Sequence, residues 1–157
     1  MLISICSTWN IGGVIMNNKY MDAAYKEALK SYELDEIPVG CVIVYNNKII
    51  SKGHNSKEIK NNAIMHAEIL AINKACKKIG NWRLENCIMY STLKPCMMCM
   101  GAIIESRIKT VYYGVDSHSK QMYDVDKLLK NNFNIINLND YRCSKILSDF
   151  FKNKRKK

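Results

Sequence analysis

Apolar side chains recur every three or four residues in four segments of the chain, and they form short continuous runs between those segments. The helical recurrence predicts amphipathic helices over residues 18–34, 65–79, 96–106 and 141–151. The continuous runs predict β-strands over residues 39–45, 48–51, 87–90, 111–115 and 134–138. No internal repeat or low-complexity block interrupts this order.

The connections between these elements predict the topology. Asn46-Asn47 separates the first two strands by two residues that tolerate positive φ, which favours an antiparallel hairpin. Beyond that hairpin, strands alternate with helices, and such alternation implies crossover connections between parallel strands. We therefore predict an α/β domain of three layers, with a mixed sheet that has an antiparallel first hairpin and parallel crossovers.

Composition and charge limit the class of protein. The chain has 157 residues, 48% of them hydrophobic, and a net charge of +10 from 24 Lys+Arg against 14 Asp+Glu. This length suits one domain, and no apolar stretch approaches the roughly 20 residues that a membrane helix needs. The C-terminal residues are mostly basic, which indicates a polyanion-binding tail or a solubilising one. We divide the chain into an N-terminal extension (1–16), a folded domain (17–151) and a basic tail (152–157).

Cysteine usage and the N-terminus bear on the compartment. The seven cysteines are an odd number, and residues 1–15 lack the basic start and the small-residue cleavage site of a signal peptide. Both features predict a reducing, cytoplasmic location. Regular patterning begins near Asn17, which predicts that residues 1–16 are disordered or that the true start is Met16 or Met21.

Two short motifs lie at the predicted starts of the second and third helices: His66-Ala67-Glu68 and Pro95-Cys96-Met97-Met98-Cys99. Cysteines three residues apart in a first helical turn project to one side, and the helix dipole favours their thiolate form. One imidazole and two thiolates suit a tetrahedral zinc ion whose fourth position is left to water, which yields hydroxide at neutral pH. The two motifs therefore predict a catalytic zinc site with the ligands His66, Cys96 and Cys99.

Glu68 lies two residues from His66 in the same helical turn. Its carboxylate can lie beside the metal-bound water and carry a proton to a ring nitrogen and then to departing ammonia. A simple interaction with the helix dipole is the alternative for a glutamate at this position.

For the cysteines, the alternatives are a redox dithiol and a closed structural zinc site completed by Cys87 or His54. A redox dithiol would need neither His66 nor Glu68, so we favour a hydrolytic site with Glu68 as the catalytic residue.

The two motifs resemble those of the zinc-dependent nucleoside and base deaminases, which share a His-x-Glu and a Pro-Cys-x-x-Cys signature. Within that class the sequence is most similar to the bacterial-type tRNA-specific adenosine deaminases, over about residues 21–154. The similar pieces, in chain order, are Glu36-Ile37-Pro38-Val39-Gly40, Gly53-His54-Asn55, Asn62 to Glu68, Thr92 to Ile103, Ser106-Arg107-Ile108 and Leu147-Ser148-Asp149-Phe150-Phe151.

The resemblance implies a cytidine-deaminase-like fold with a five-stranded sheet, and a homodimer with one Zn²⁺ per subunit. The implied reaction is the deamination of adenosine to inosine at the wobble position of a tRNA anticodon stem-loop by a zinc-bound hydroxide. Asn55 and Val39 are the implied substrate-binding residues, and neither a membrane nor a nucleotide cofactor is expected. The candidate RNA contacts at the C-terminus are Phe150, Phe151, Lys152, Lys154 and Arg155.

Three features depart from the family pattern, one of which is that residues 1–15 have no counterpart in it. Lys94 stands where the family usually has glutamate before Pro-Cys, so a positive charge lies beside the predicted site. The stretch 115–123 lacks the family's usual glycine-rich pattern.

Two alternatives share the zinc site: a deaminase of a free base or nucleoside such as cytosine or guanine, and a non-catalytic zinc-containing RNA-binding subunit. The basic tail and Asn55 favour RNA over a free base, and Glu68 favours an enzyme.

Overall fold

The computed structural model describes residues 8–11, 14–117, 123–130 and 132–156. Its helices are α1 (Lys19–Glu33), α2 (Ala67–Ile79), α3 (Met97–Glu105), α4 (Val125–Leu129) and α5 (Tyr141–Arg155). Its strands are β1 (Thr8–Ile11), β2 (Val14–Asn17), β3 (Gly40–Tyr45), β4 (Lys48–His54), β5 (Cys87–Leu93), β6 (Thr110–Val115) and β7 (Asn134–Asn137). Each helix and strand predicted from the sequence corresponds to one of these elements.

Five of the strands form one mixed sheet in the order β4-β3-β5-β6-β7. Strand β3 pairs antiparallel with β4 and β5, whereas the β5–β6 and β6–β7 pairs are parallel. Asn46 and Asn47 form the turn of the β3–β4 hairpin with φ of 48° and 60°, the left-handed values that asparagine tolerates. The predicted mixed sheet, with its antiparallel first hairpin and parallel crossovers, is confirmed.

Helices cover both faces of this sheet because its central strands carry apolar side chains on both faces. On one face, Met21 of α1 packs in a cluster with Val42 of β3, and α5 joins the same cluster. On the other face, Ala71 of α2 packs in a cluster with Ile43 of β3, and α3 joins it. Val42 and Ile43 are consecutive and therefore point to opposite faces of the sheet. The layers are those of the predicted α/β/α arrangement.

The described part of the N-terminal segment forms a hairpin. Residues 8–11 and 14–17 pair as an antiparallel two-stranded sheet, separate from the five-stranded one. The sequence predicts that residues 1–16 are disordered or precede the true start, and both alternatives stay predictions beside the hairpin that the described part of the segment forms. Gly12-Gly13 lies between two short apolar runs, a pattern that favours a hairpin but was not used in the prediction. Residues 1–7 lie outside the described residues, and the division of the chain at residues 16 and 151 stays a prediction.

The C-terminal helix is longer than its prediction. Helix α5 runs through most of the predicted basic tail and ends at Arg155. Residues 152–155 are polar and exposed, so no recurrence of apolar residues predicts that they continue the helix. Contacts with the end of α1 hold the last turn: the Asn153 amide donates to the Tyr32 hydroxyl at 3.1 Å, and Lys154 donates to Asp35 at 2.6 Å.

Two smaller differences concern β4 and α4. Strand β4 continues past its predicted end at residue 51 to His54, because Gly53 still pairs with Cys41 of β3. The short helix α4 lies in a stretch with no regular apolar spacing and was not predicted. Within the described ranges, no helix has the length and the apolar character that crossing a membrane requires.

Candidate active site

His66 and Cys96 each begin a helix at the edge of the sheet where β4 and β5 end. His66 is the N-cap residue of α2 and Cys96 that of α3, both with extended backbone at ψ of 152° and 173°. Neither side chain forms a capping hydrogen bond with its own helix. The two side chains instead lie against each other, where the positive ends of two helix dipoles favour a thiolate.

Gly53 of β4 lets the first turn of α2 lie directly on the sheet. A Cβ at this position would stand 2.2 Å from the carbonyl oxygen of Ala67 and 2.8 Å from the backbone nitrogen of Ala71. Both alanines are fully buried. Only glycine permits this approach, which sets the position of His66 and Glu68 in the first turn of α2.

Three ligand-type atoms converge between the two helices. His66 Nδ1 lies 3.7 Å from Cys96 Sγ and 3.5 Å from Cys99 Sγ, and the three atoms all lie within 4.8 Å of one another. Cys99 follows Cys96 by about one helical turn and is fully buried. One ion between the three side chains can therefore contact all of them.

The thiol groups of Cys96 and Cys99 have different pKa values. Hydrogen bonds from Cys99 and then from His66 lower the pKa of Cys96 to about 4, although burial opposes the change. The hydrogen bond to Cys96, together with burial, raises the pKa of Cys99. The same Cys96 sulfur raises the pKa of His66 by hydrogen bonding. The low pKa of Cys96 favours its thiolate form, which is the form that binds a divalent cation.

Glu68 lies beside this cluster and is buried. The Ser91 hydroxyl donates to Glu68 Oε1 at 3.4 Å, and the Cys99 thiol lies 3.5 Å from Oε2. Burial raises the pKa of Glu68 above the ordinary range of a glutamate. A carboxyl group with a raised pKa can accept a proton and return it, as general acid–base catalysis requires.

This set of donors suits zinc with one position open. A histidine nitrogen and cysteine sulfurs are preferred zinc ligands, and catalytic zinc sites use three protein ligands. Among the residues that the structure describes, the metal-ligand cluster has three members. The two residues considered for closing the site are engaged elsewhere: His54 bonds Glu27 at 3.0 Å, and Cys87 lies in the apolar core. The residues present therefore fit a catalytic zinc ion better than a closed structural one.

A cavity of about 260 Å³ adjoins the cluster. Val39 and Asn55, the two predicted substrate-binding residues, both lie in its wall. The wall combines apolar side chains with two lysines and the catalytic candidates. Its members are Ile37, Val39, Asn55, Lys57, His66, Ala67, Glu68, Leu93, Lys94, Cys96 and Ser117.

Asn55 is held by the segment that precedes β3. Its side-chain amide donates to the Ile37 carbonyl at 3.1 Å and to Glu36 Oε2 at 3.5 Å. Glu36 is buried and also accepts the backbone N–H of Ile59 at 2.7 Å. Glu36 was not predicted as a positioning residue, because these contacts join segments that only the fold brings together.

Tyr123 is a second residue whose role was not predicted from the sequence. Its hydroxyl donates to the Pro95 carbonyl at 2.8 Å, directly before Cys96. Because a trans peptide holds its C=O and N–H in opposite directions, this hydrogen bond also orients the N–H of Cys96. Tyr123 lies in a stretch without regular patterning, so no local signal in the sequence identifies it.

His54 takes a structural role next to Asn55. Its Nδ1 lies 3.0 Å from Glu27 Oε2, and Lys30 donates to Glu27 Oε1 at 2.7 Å. Burial alone would raise the pKa of Glu27, but the hydrogen bonds from Lys30 and His54 outweigh burial and lower it. A lowered folded-state pKa stabilises the fold above the unfolded-state pKa, and this stability is lost as the pH falls through the folded-state pKa.

We expect Glu27→Gln to lower the free energy of unfolding by about 2 kcal/mol at neutral pH, because the charged acceptor of two hydrogen bonds is removed. The difference from the parent protein should shrink as the pH falls below the usual range of a glutamate. Urea unfolding at several pH values measures it, with Glu33→Gln, an exposed glutamate of the same helix, as the matched control. A difference that stays constant down to strongly acidic pH would contradict this role of Glu27.

The candidate RNA contacts on α5 differ in exposure. Phe150, for which packing of the last helix is the alternative to RNA contact, is 6% exposed and packs in the protein. Phe151 is 44% exposed, and Lys152 and Arg155 are exposed as well. Lys154 is exposed but forms an ion pair of 2.6 Å with the loop after α1.

Comparison with known proteins identifies similar sequences. Residues 14–115 match the family model described as the cytidine and deoxycytidylate deaminase zinc-binding region. The tRNA-specific adenosine deaminase of Bacillus subtilis (strain 168) is 41% identical over 145 residues, which covers 88% of this chain and 90% of that protein. The range matched by the family model contains the His66, Glu68, Cys96 and Cys99 cluster.

Two solved structures are also similar. One comes from a study of A-to-I editing by tRNA:A34 deaminases at the wobble position; it has a TM-score of 0.76 and 31% identity, and the match covers 83% of this chain and 99% of that one. The other is a guanine deaminase from Bacillus subtilis, with a TM-score of 0.61 and 37% identity over 64% of this chain and 65% of that one. The first match extends over more of both chains.

Proposed function

The chain belongs to the zinc-binding cytidine and deoxycytidylate deaminase family, and from that premise we propose that it converts adenosine to inosine at the wobble position of tRNA. Relatives that act on tRNA match nearly the whole chain. The observation that carries the proposal is the convergence of His66, Cys96 and Cys99 beside the buried Glu68, in the wall of one cavity.

The chemistry is divided among few side chains. His66, Cys96 and Cys99 would hold one zinc ion, which when bound would act as a Lewis acid and make water nucleophilic at neutral pH. Glu68 would take one proton from the attacking water and pass it to a ring nitrogen of adenine, and would then take the second proton from the new C6 hydroxyl and give it to the departing amine. A bond from C6 to oxygen forms and the bond from C6 to nitrogen breaks, so adenosine and water yield inosine and ammonia.

The cavity wall suits a purine that leaves its stack. Ile37, Val39 and Leu93 contribute apolar surface, and Asn55 contributes an amide that Glu36 orients before any base binds. An anticodon loop presents bases that are already unstacked, so drawing one into a cavity costs little. These features support an RNA loop as the source of the base.

A guanine deaminase is the second candidate, because a guanine deaminase structure shares 37% identity with two thirds of the chain. The two functions differ in whether the base is free or part of RNA. Turnover of a tRNA anticodon stem-loop by the zinc-loaded protein, compared with turnover of free adenosine, guanine and cytosine, would distinguish the two functions. We expect inosine in the stem-loop and no ammonia from the free compounds; turnover of the free compounds alone would overturn the proposal.

We also propose that the exposed basic end of α5 contacts RNA phosphates. Support comes from its position: Lys154 bonds Asp35, which precedes the cavity residue Ile37 by two residues. The double substitution Lys152→Ala and Arg155→Ala should weaken stem-loop binding. It should also flatten the salt dependence of binding by about 0.7 in slope for each phosphate that the variant no longer neutralises.

The matched control for that prediction is Lys77→Ala with Lys78→Ala, two exposed lysines at the far end of α2. Fluorescence anisotropy over a range of salt concentrations measures both pairs. Equal affinity and equal salt slope in the α5 variant and the parent would leave α5 with a solubilising role only.

We extend the proposal to a cytoplasmic homodimer with one zinc ion per subunit. A tRNA substrate supports the location. Three apolar side chains on α3 support an interface between subunits: Met97 is 57% exposed, Met98 36% and Ile104 37%. The helix that carries two of the zinc ligands would then lie near the dimer contact.

A further inference from the structure

Lys94 is a charged residue of the cavity wall that the chemistry above does not use. It follows β5 directly, and its side chain is only 17% exposed. Its Nζ lies 3.4 Å from Asp116 Oδ1 and 5.7 Å from the centroid of the Tyr113 ring. Lys94 shares the cavity wall with Glu68, so a positively charged residue lines the same cavity as the proposed proton-transfer group.

The partner of Lys94 positions the ammonium group but does not occupy all of its donors. Asp116 has a side chain that is 59% exposed, and water screens ion pairs of that kind. Its oxygens are already shared, since the Tyr113 hydroxyl donates to Oδ1 at 3.1 Å and the Asn137 amide donates to Oδ2 at 3.0 Å. An ammonium group has three N–H donors, and among the described residues Asp116 is its ion-pair partner, so this ion pair leaves donors for a ligand in the cavity.

The charges of the cavity wall favour an anionic ligand. Lys57 and Lys94 both line the cavity, whereas Glu68 is the one carboxylate among the described residues of its wall. A free purine base or nucleoside is neutral and offers an ammonium group no opposite charge. A nucleotide within an RNA chain brings a phosphate on each side of its base, and lysine binds phosphate as a point charge.

We propose that Lys94 binds a backbone phosphate next to the target nucleotide and thereby selects a polynucleotide over a free base or nucleoside, an assignment that rests on the RNA substrate proposed above. Before RNA binds, Asp116 holds the ammonium group at the cavity wall, and Tyr113 and Asn137 hold Asp116 in turn. The phosphate then replaces Asp116 as the partner of Lys94. Lys94 is therefore a residue that determines specificity rather than one that transfers protons.

Binding of an anticodon stem-loop to the zinc-loaded protein tests this assignment, with Glu68→Gln as the background so that no turnover interferes. Lys94→Ala in that background should weaken binding about tenfold and flatten the slope of log Kd against log salt by about 0.7. Lys94→Arg should keep most of the affinity, because it keeps the charge. Lys78→Ala, an exposed lysine at the far end of α2, should change neither quantity.

Asp116→Asn separates phosphate binding from a purely structural ion pair. Removing the competing carboxylate should leave stem-loop affinity intact or raise it, whereas a structural ion pair would make Lys94→Ala and Asp116→Asn equally harmful. Zinc content, measured for every variant, shows whether the neighbouring ligands are intact. Equal losses in the two variants, or an unchanged Kd and salt slope in Lys94→Ala, overturn the assignment.

Different results overturn the proposed function and the role of Lys94. A parent protein that neither binds nor edits the stem-loop overturns the proposed function, and the role of Lys94 with it. A parent protein that edits the stem-loop while Lys94→Ala binds as tightly and with the same salt slope overturns the role of Lys94 alone.

Discussion

Glu68→Gln is expected to reduce kcat on a tRNA anticodon stem-loop by about a thousandfold or more, because a positioned general acid–base group contributes on that order. Glutamine preserves the size of the side chain and can keep the hydrogen bond with Ser91. The variant should therefore fold, hold one zinc ion per chain and bind the stem-loop as the parent does. Single-turnover measurement of inosine, with zinc content from the same sample, separates loss of chemistry from loss of the metal.

Glu33→Gln is the matched control for this variant, since Glu33 is an exposed glutamate of α1 outside the cavity. It should edit the stem-loop at the parent rate. If Glu68→Gln also edits at the parent rate, Glu68 does not carry the proton. If Glu68→Gln loses its zinc, then Glu68 is required for metal binding, contrary to a site with three ligands.

Cys96→Ser is expected to weaken zinc binding by more than about 100-fold and to abolish turnover, because a hydroxyl is a far poorer zinc ligand than a thiolate. The bound metal also stabilises the folded state, so the midpoint of thermal unfolding should fall toward that of the chelator-treated parent. Cys96 is only half-buried, so its replacement disturbs the core less than replacement of the fully buried Cys99.

Cys76→Ser serves as the control, because Cys76 is a half-buried free cysteine outside the cluster. It should bind zinc and turn over as the parent does. A Cys96→Ser protein that keeps one tightly bound zinc ion and its activity would contradict the ligand set of His66, Cys96 and Cys99.

The metal-ligand cluster and the position of Glu68 beside it could be predicted because their signals are local. Cys96 and Cys99 are three residues apart, and His66 and Glu68 are two residues apart, so the first turn of one helix sets each pair. Alternation of strands and helices then predicts that the two helices start near the same edge of the sheet. The regular spacing of residues therefore predicts the strands of the sheet, and it also predicts the position of the cluster.

The surroundings of the cluster could not be predicted, because they depend on contacts between distant segments. Ser91 reaches Glu68 only through the pairing of β5 in the sheet, and Glu36 reaches Asn55 only through the packing of two loops. Tyr123 bonds Pro95 from a stretch with no regular pattern. By contrast, the apolar recurrence in the last helix predicts the inward-facing side of α5, where Phe150 is buried, although Phe151, also expected there, is 44% exposed.

Inosine formation and zinc content, measured on one sample of purified protein with a tRNA anticodon stem-loop, test the central claim most directly. Hydrolytic deamination at the His66, Cys96 and Cys99 cluster predicts one zinc ion per chain, inosine at the wobble position, and loss of both when a chelator removes the metal. A folded protein that produces inosine at an unchanged rate without zinc, or a fully zinc-loaded protein that leaves the adenosine intact, would contradict it.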